Sequence, residues 1–539
     1  MNIQTPKPVR ALSRVGLAAI AVLVLMAALF LLVGSLIGTS DMSRDGPGEE
    51  IIIFEYDEVW LNFAFLVLFL ALGAGIVWLV RRFGLLTKLT PSRLSWALGL
   101  WVMLAGSLWV VMSMSAPTHD SLIVTRAGVY AAMGEMKYID AEYFIRFPFQ
   151  LGYVFWTEIW ARIFGLNEGS YLFMEFVNVL CLAAGEMALV RLTERLFGRR
   201  EVTFAAALTL ALFAQPMIFC TFLYGTMPGF CFAAWAMLLF VRYLQTDRWR
   251  YIIGAGLSLT ISVSLKLNNM ILLVAMVIIL LLHLLRRLDW RRLASIALLC
   301  VMVLTLKNVG MWQYELRMNK DFGSGIPMLS WMAMGLNDAV AAPGWYSYQY
   351  TIGTFNDAGK DPDVAAERSM EEIKDRLSYF AENPSETKDF FKEKILSQWN
   401  EPTYQSIWNN QVRGQYMDKF GLAEYVCGKG EYQTKAVFDL GIQFFFFGFA
   451  AAAVVLTVSQ FRKKREGTMA DRPDLCALWL IPLTILGGFL YHALFEGKSQ
   501  YIITYMTYMV PYAVWGSFYV IRAVKAGAGK LRRKLFEKE

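Results

Sequence analysis

Histidine and cysteine are scarce in this chain. Its three histidines in 539 residues, His119, His283 and His492, are too scattered to propose a metal-ligand set from sequence. Of six cysteines, Cys181, Cys220, Cys231, Cys300 and Cys476 fall in or beside apolar runs, and Cys427 stands alone in a polar segment. Neither a disulfide framework nor a CxxC metal motif follows. Charged residues make up only 18%, against 57% hydrophobic and 15% aromatic at a mean hydropathy of +0.43. That balance excludes a soluble globule and a disordered chain alike, and leaves a polytopic helical membrane protein. No repeat relates the two halves, although many transporters have one. Glu496-Gly497-Lys498-Ser499 resembles the end of a phosphate-binding loop, but His492 stands where its first glycine belongs. Asp361-Pro362-Asp363 has the D-x-D form of nucleotide-sugar enzymes, yet its place at a helix start favours capping.

What is abundant is apolar sequence in long runs. Runs long enough to span a bilayer occur near 15–37, 60–80, 95–114, 168–190, 203–222, 226–245, 251–267, 269–286, 293–311, 437–459, 476–494 and 502–522, which predicts about twelve transmembrane helices. Lys7, Arg10 and Arg14 precede the first run, which is longer than a signal-peptide core and is expected to stay as an uncleaved span. With a cytoplasmic N-terminus, the inside loops hold Arg81, Arg82, Lys88 and Arg93; Arg191, Arg195, Arg199 and Arg200; Arg242, Arg248 and Arg250; Arg286, Arg287, Arg291 and Arg292; and Arg462 to Arg465, with a basic tail after the last span. Every inside loop is then basic, so the net charge of +7 reports membrane orientation and predicts no nucleic-acid partner.

That orientation leaves three larger segments outside. The first, 38–59, is acidic through Asp41, Asp45, Glu49, Glu50, Glu55, Asp57 and Glu58. The second, Ser115 to Gly165, opens with His119, Asp120, Arg126, Glu135, Lys137, Asp140, Glu142 and Arg146, too polar for hydrocarbon. It closes with an aromatic stretch from Gln150 to Phe164 that is too short to span and suits a re-entrant or interfacial helix. The third, 312–436, is large enough for an extramembrane subdomain. In it, one helix begins at Asp361 and groups Met370, Ile373, Leu377 and Phe380. A second begins at Asn383 with a capping-box-like Glu386, and its Phe390, Phe391, Ile395 and Trp399 pack on the first helix or lie along the membrane. Two outer turns, Lys266-Asn268-Asn269 and the run His492, Glu496, Lys498, Ser499, Gln500, Tyr501, face the same side as Asp120.

Pro117, His119, Asp120 and Ala127, then Arg146, Phe147, Pro148, Gly152, Tyr153 and Trp156, then Phe164-Gly165, form a pattern that resembles the GT-C superfamily of membrane glycosyltransferases, in its aminoarabinose transferase and protein O-mannosyltransferase-like branch. The likeness runs from about 95 to 270 and more thinly from 475 to 522; Asp120-Ser121 stands where that branch usually carries two acids. The resemblance implies an all-α bundle of about twelve spans with an interfacial helix and an extracytoplasmic insertion. It divides the chain into an N-terminal extension (1–94), a core (95–311) with the outer loop 115–165, the outer subdomain (312–436) and a C-terminal three-span segment (437–539). It also implies a polyprenyl-phosphate sugar donor, an extracytoplasmic cell-envelope acceptor, inversion at the anomeric carbon, and residence in a bacterial cytoplasmic membrane with both termini inside. No cofactor is expected, and a divalent metal is left open.

Such a reaction needs a carboxylate to take the acceptor's proton and cations for the leaving phosphate. Asp120 is the expected base, with His119, Arg146, Lys266, Asn268, Lys498 and Tyr501 as substrate contacts, and Asp140, Glu142 and Asp57 as secondary acids. Against these stand plainer readings: Asp120 as a helix cap, Arg146 and Lys266 snorkelling to headgroups, and Trp345, Tyr346, Tyr348 and Tyr350 as an interfacial belt in place of sugar-stacking rings. A lipid-linked sugar flippase and a non-catalytic scaffold of the same fold are the alternative functions.

Overall fold

A computed structural model of the chain describes residues 3–4, 6–43, 50–412, 417–461 and 476–536. The acidic Asp45 and Glu49, the basic run Arg462–Arg465 and the end of the tail lie outside these residues. In chain order, α1 (Lys7–Ile37) leads into an antiparallel pair, β1 (Gly38–Ser43) and β2 (Ile51–Tyr56), and then α2 (Val59–Arg82) and α3 (Pro91–Ser113). The stretch 115–165 contributes α4 (His119–Ala132) and α5 (Leu151–Phe164). There follow α6 (Tyr171–Phe197), α7 (Arg200–Leu212), α8 (Thr226–Thr246), α9 (Trp249–Leu265), α10 (Met270–Leu284), α11 (Trp290–Leu306) and its continuation α12 (Val309–Met318). The extramembrane part holds α13 (Met328–Leu336), α14 (Pro362–Glu382) and α15 (Pro384–Trp399), and α16 (Glu431–Phe461), α17 (Leu480–Leu494) and α18 (Ile502–Phe536) end the chain.

Helix therefore dominates, as the composition requires, and the chain is an all-α polytopic membrane protein. Among the described residues nine helices are long and apolar enough to cross a bilayer, or ten if α7 and the bent segment Gln215–Thr221, turned by 43°, form one span. The sequence predicts twelve. The other two are present as helices: α9 stops at 17 residues, and in α18 Tyr505, Tyr508 and Tyr512 dilute the apolar character. Within the acidic segment 38–59, for which the sequence reading named no element, the chain forms a strand pair. The run Ile51–Ile53 is β-branched, which suits an extended backbone, and it pairs in register with Asp41–Ser43.

Hydrogen bonds between loops show how the spans alternate. Arg191 Nη2 donates to Ser92 Oγ at 2.9 Å, Gln245 Nε2 to the Arg195 carbonyl at 3.1 Å, and Arg286 Nε to Ser13 Oγ at 2.7 Å. Ile3–Gln4 pairs with Arg287–Leu288 at this same basic end. The turns that follow α3, α9 and α17 accordingly sit at the opposite end, where the outer helices and the subdomain pack. α1 packs on α16, and α16 on α18, so the N-terminal segment belongs to the bundle.

The subdomain departs in detail from the sequence pattern. On α14 the buried residues are Ala365, Ser369, Ile373 and Phe380, while Met370 and Leu377 are exposed. Asp361 caps that helix, accepting from the amides of Asp363 at 2.9 Å and Val364 at 3.3 Å. The capping box expected at Asn383 is absent: Asn383 Nδ2 donates to the Tyr379 carbonyl at 2.9 Å, and Glu386 accepts from the Tyr379 hydroxyl. Phe390 packs against Phe380 at 5.2 Å between ring centroids, whereas Ile395 and Trp399 turn into the main bundle.

Short α5 is the element that sets the site, and its ends are sharply defined. Gly165 closes it in the left-handed region, φ +63°, where a side chain is strained. At the other end Gly152 lies against α9 and α12; a Cβ there would come within 2.0 Å of the Ser264 carbonyl oxygen, and Gly310 sits beside it. Small residues let helix backbones approach this closely in a bundle. Gly152→Ala is expected to push α5 off its seat at a cost of about 1–3 kcal/mol. A lower thermal midpoint in detergent is the readout, and an unchanged midpoint would refute the contact.

Candidate active site

Deep between α4, α9, α17 and the subdomain lies a cavity of about 1050 Å³. Its wall brings together residues far apart in sequence: His119, Asp120, Arg146, Lys266, Asn268, Lys498 and Tyr501, with Tyr143, Gln150, Tyr224, Lys307 and Glu496. The subdomain closes one side with Trp331, Tyr346 and Pro362. Every first-rank residue named from the sequence thus faces one space.

Asp120 is placed by the start of α4. Thr118 is the N-cap, and Ser121 completes a capping box, its hydroxyl donating to the Thr118 carbonyl at 2.8 Å and accepting from the Thr118 amide at 3.2 Å. Ser121, the residue that replaces a second acid, therefore serves the helix end, and Asp120 is left free of the capping role. Its carboxylate is exposed to the cavity and accepts from the Tyr224 hydroxyl at 3.4 Å. Tyr224 in turn takes a hydrogen bond from Gln150 Nε2 at 2.7 Å and shares one with the Tyr143 hydroxyl at 3.0 Å. Burial raises the pKa of both phenols, and the Asp120 charge raises it further, so both stay neutral donors.

Lys266 ends α9 in extended backbone, which turns its side chain into the cavity. The ammonium lies 4.6 Å from the ring centroid of Tyr224 and 5.1 Å from that of Tyr501, with no hydrogen bond or ion pair among the described residues. Burial pushes its pKa down to about 8; the charges of Glu496 and Asp120 oppose that, and Lys498 adds to it. A desolvated cation held only by aromatic faces is open to an anionic ligand.

The other cations are already engaged. Lys498 pairs with Glu50 at 2.6 Å, and both are nearly buried. Arg146 pairs with Glu142 at 2.8 Å and reaches Asn356 at 3.4 Å. Lys307, which the sequence reading did not single out, stands at the break between α11 and α12 and donates to Asn308 Oδ1 at 2.8 Å. It was hidden inside the apolar run 293–311, where the sequence shows no break between helices.

The secondary acids lie off the cavity wall. Asp140 is bound to Lys320 at 2.5 Å on the exposed surface. Glu142 is held below its ordinary range by a hydrogen bond from Lys360 and the Arg146 charge. Asp57 accepts from Thr39 Oγ1 at 3.0 Å and Asn62 Nδ2 at 3.1 Å, a local arrangement that fixes the start of α2. Of the aromatics 345–350, Trp345 is fully buried and donates to Ser397 Oγ at 2.8 Å, and only Tyr346 lines the cavity. Among the described residues no group of His, Cys, Asp and Glu is arranged to hold a metal ion.

Two buried clusters hold the frame. Glu158 on α5 accepts from Tyr314 at 2.5 Å, from Arg317 at 2.8 and 2.9 Å and from Arg162 at 2.6 and 2.8 Å, locking α5 to α12. Glu158→Ala removes the acceptor of the buried Tyr314 hydroxyl, while Arg162 keeps the Ala131 carbonyl and Arg317 keeps Gln313, so the expected loss is about 1–3 kcal/mol. Thermal unfolding in detergent checks it; a variant as stable as wild type would discount the cluster. On the subdomain side, Lys394 donates to the carbonyls of Gly335 and, at 2.8 Å, of Phe495, and burial pushes its pKa down to about 7.

The fold and cavity define a polytopic helical protein whose cavity joins an exposed carboxylate to a half-buried cation with no ion pair among the described residues. Residues 150–312 match the family model described as dolichyl-phosphate-mannose-protein mannosyltransferase, a membrane glycosyltransferase domain of the GT-C superfamily. No curated protein and no solved structure matches the chain.

Proposed function

We propose that the protein transfers a sugar from a polyprenyl-phosphate carrier to a hydroxyl of an extracytoplasmic cell-envelope acceptor. The observation that carries this reading is the unpaired Lys266 ammonium in the same cavity as the Asp120 carboxylate. In the reaction, the acceptor oxygen bonds to the anomeric carbon as the carbon–oxygen bond to phosphate breaks. The electron pair leaves with the phosphate, onto Lys266 with Lys307 nearby on the wall, and the acceptor's proton passes to Asp120. A single displacement of this kind inverts the anomeric centre. His119, Asn268, Arg146, Lys498 and Tyr501 complete the substrate wall.

The basic loops, gathered at the end away from the cavity, support a bacterial cytoplasmic membrane setting with termini inside and the cavity outside. In that setting a lipid-linked donor is the available activated sugar, and it enters from the outer leaflet. The test is transfer of labelled sugar from polyprenyl-phosphate donors to envelope extracts by the purified full chain in nanodiscs. Incorporation that depends on the protein supports the reading; no incorporation from any donor sinks it.

A further inference from the structure

Three carboxylates line the cavity among the described residues: Asp120, Asp363 and Glu496. Asp363 is exposed in the first turn of α14. Glu496 lies deeper, in the turn between α17 and α18, and the displacement described above gives it no task. Its neighbours hold it rigidly. Tyr501 Oη donates to Oε2 at 2.8 Å, His492 Nδ1 meets its backbone carbonyl at 2.9 Å, and the Gly497 amide donates to the Gly344 carbonyl at 2.7 Å. One residue further on, Ser499 Oγ donates to Glu401 Oε2 at 2.9 Å, and the Lys498 charge is met by Glu50. The second oxygen, Oε1, has no hydrogen-bond partner among the described residues.

Around this carboxylate the walls are aromatic. Tyr501 stacks on His492 at 5.4 Å and 15°, and Tyr491 on Phe495 at 4.5 Å and 15°; all four line the cavity. A sugar ring has one face of C–H bonds and a rim of hydroxyls. Aromatic faces suit the first, and a carboxylate with a free oxygen suits the second; burial raises the Glu496 pKa, and the Lys498 charge, the Tyr501 hydrogen bond and the Lys266 charge oppose that rise. Tyr501 links the two halves of the donor: its ring carries Lys266 and its hydroxyl holds Glu496. A phosphate on Lys266 therefore sets the attached sugar beside Glu496.

We propose that Glu496 is a specificity-determining residue that accepts hydrogen bonds from the hydroxyls of the transferred sugar, in a subsite walled by Tyr491 and Tyr501. The proposal rests on the polyprenyl-phosphate donor reading, and binding without turnover separates the two. The full chain in nanodiscs is titrated with bare undecaprenyl phosphate and with the same carrier bearing mannose, glucose, galactose or N-acetylglucosamine. Wild type is expected to bind the bare carrier and to prefer one sugar-bearing form. In Glu496→Gln that preference falls about tenfold or more, the loss of hydrogen bonds to a charged group, while the bare carrier binds no more weakly. Tyr501→Phe, which frees the carboxylate from its tether, moves the preference in the same direction. A preference intact in Glu496→Gln overturns the proposal, as does an equal loss for bare and sugar-bearing carriers, which marks a structural role. If wild type binds the bare carrier but no sugar improves on it, the subsite is overturned and the donor reading stands. If wild type does not bind the bare carrier, the donor reading itself fails.

Discussion

Asp120→Asn lowers sugar transfer by about two to four orders of magnitude at matched membrane levels, the range expected for loss of a positioned general base. The change keeps the size of the side chain and an oxygen for the Tyr224 hydroxyl, which lies 3.4 Å away. It also leaves the end of α4 intact, because Thr118 and Ser121 make the cap without Asp120. Donor binding should therefore survive while turnover is lost, and that split distinguishes a missing base from a damaged fold. Equal turnover in wild type and variant would remove Asp120 from the mechanism. Attention would then move to Glu496 and Asp363, the other acids on the cavity wall, and not to Asp140, Glu142 or Asp57, which are engaged elsewhere.

Lys266→Gln weakens binding of a polyprenyl-phosphate carrier by roughly tenfold to a hundredfold, since a hydrogen bond to a charged group contributes about 1.5–3 kcal/mol. The pH dependence gives a second, independent readout. Burial lowers the Lys266 pKa to about 8, so in the free protein the ammonium is present below that pH and is lost as pH rises through it. A phosphate favours the charged form, so binding takes up a proton above pH 8 and affinity falls about tenfold for each further unit. Lys266→Arg keeps its charge throughout and should flatten this alkaline limb. Isothermal titration between pH 7 and 10 in buffers of different ionisation heat measures both the affinity and the proton uptake. An alkaline limb that persists in the arginine variant would assign it to another group.

Much of this architecture could be read from apolar runs because a bilayer punishes unpaired backbone so severely that sequence length and hydropathy nearly determine the spans. Both the spans and the short helix ending at Phe164-Gly165 follow from that constraint. The strands at 38–56 did not, since six residues with mixed polarity carry no periodic signal strong enough to outweigh an acidic composition. That Asp120, Lys266 and Lys498 share a cavity was legible for a related reason: polar side chains between membrane-spanning runs are costly, so these residues stood out in the sequence. Their pairing was not legible. That Lys498 is met by Glu50, 448 positions earlier, while Lys266 is met by rings alone, depends on packing that no local window contains. On α14 the pattern misled at Met370 and Leu377, where periodicity named a face wider than the one α13 and α15 actually cover.

The clamp between Glu50 and Lys498 has a bearing on how this protein can be cut or recombined. Glu50 stands just before the second strand of the pair that follows the first helix, and Lys498 in the last turn before the final helix. The matched segment, 150–312, contains Lys266 but neither Asp120 nor Glu496. The cavity wall is thus assembled from the matched segment and from stretches on both sides of it. A chimera that exchanges only the central segment therefore moves Lys266 without Asp120, Glu496 or the Glu50–Lys498 pair, and on the proposed reading it parts the cation from the base and from the sugar subsite.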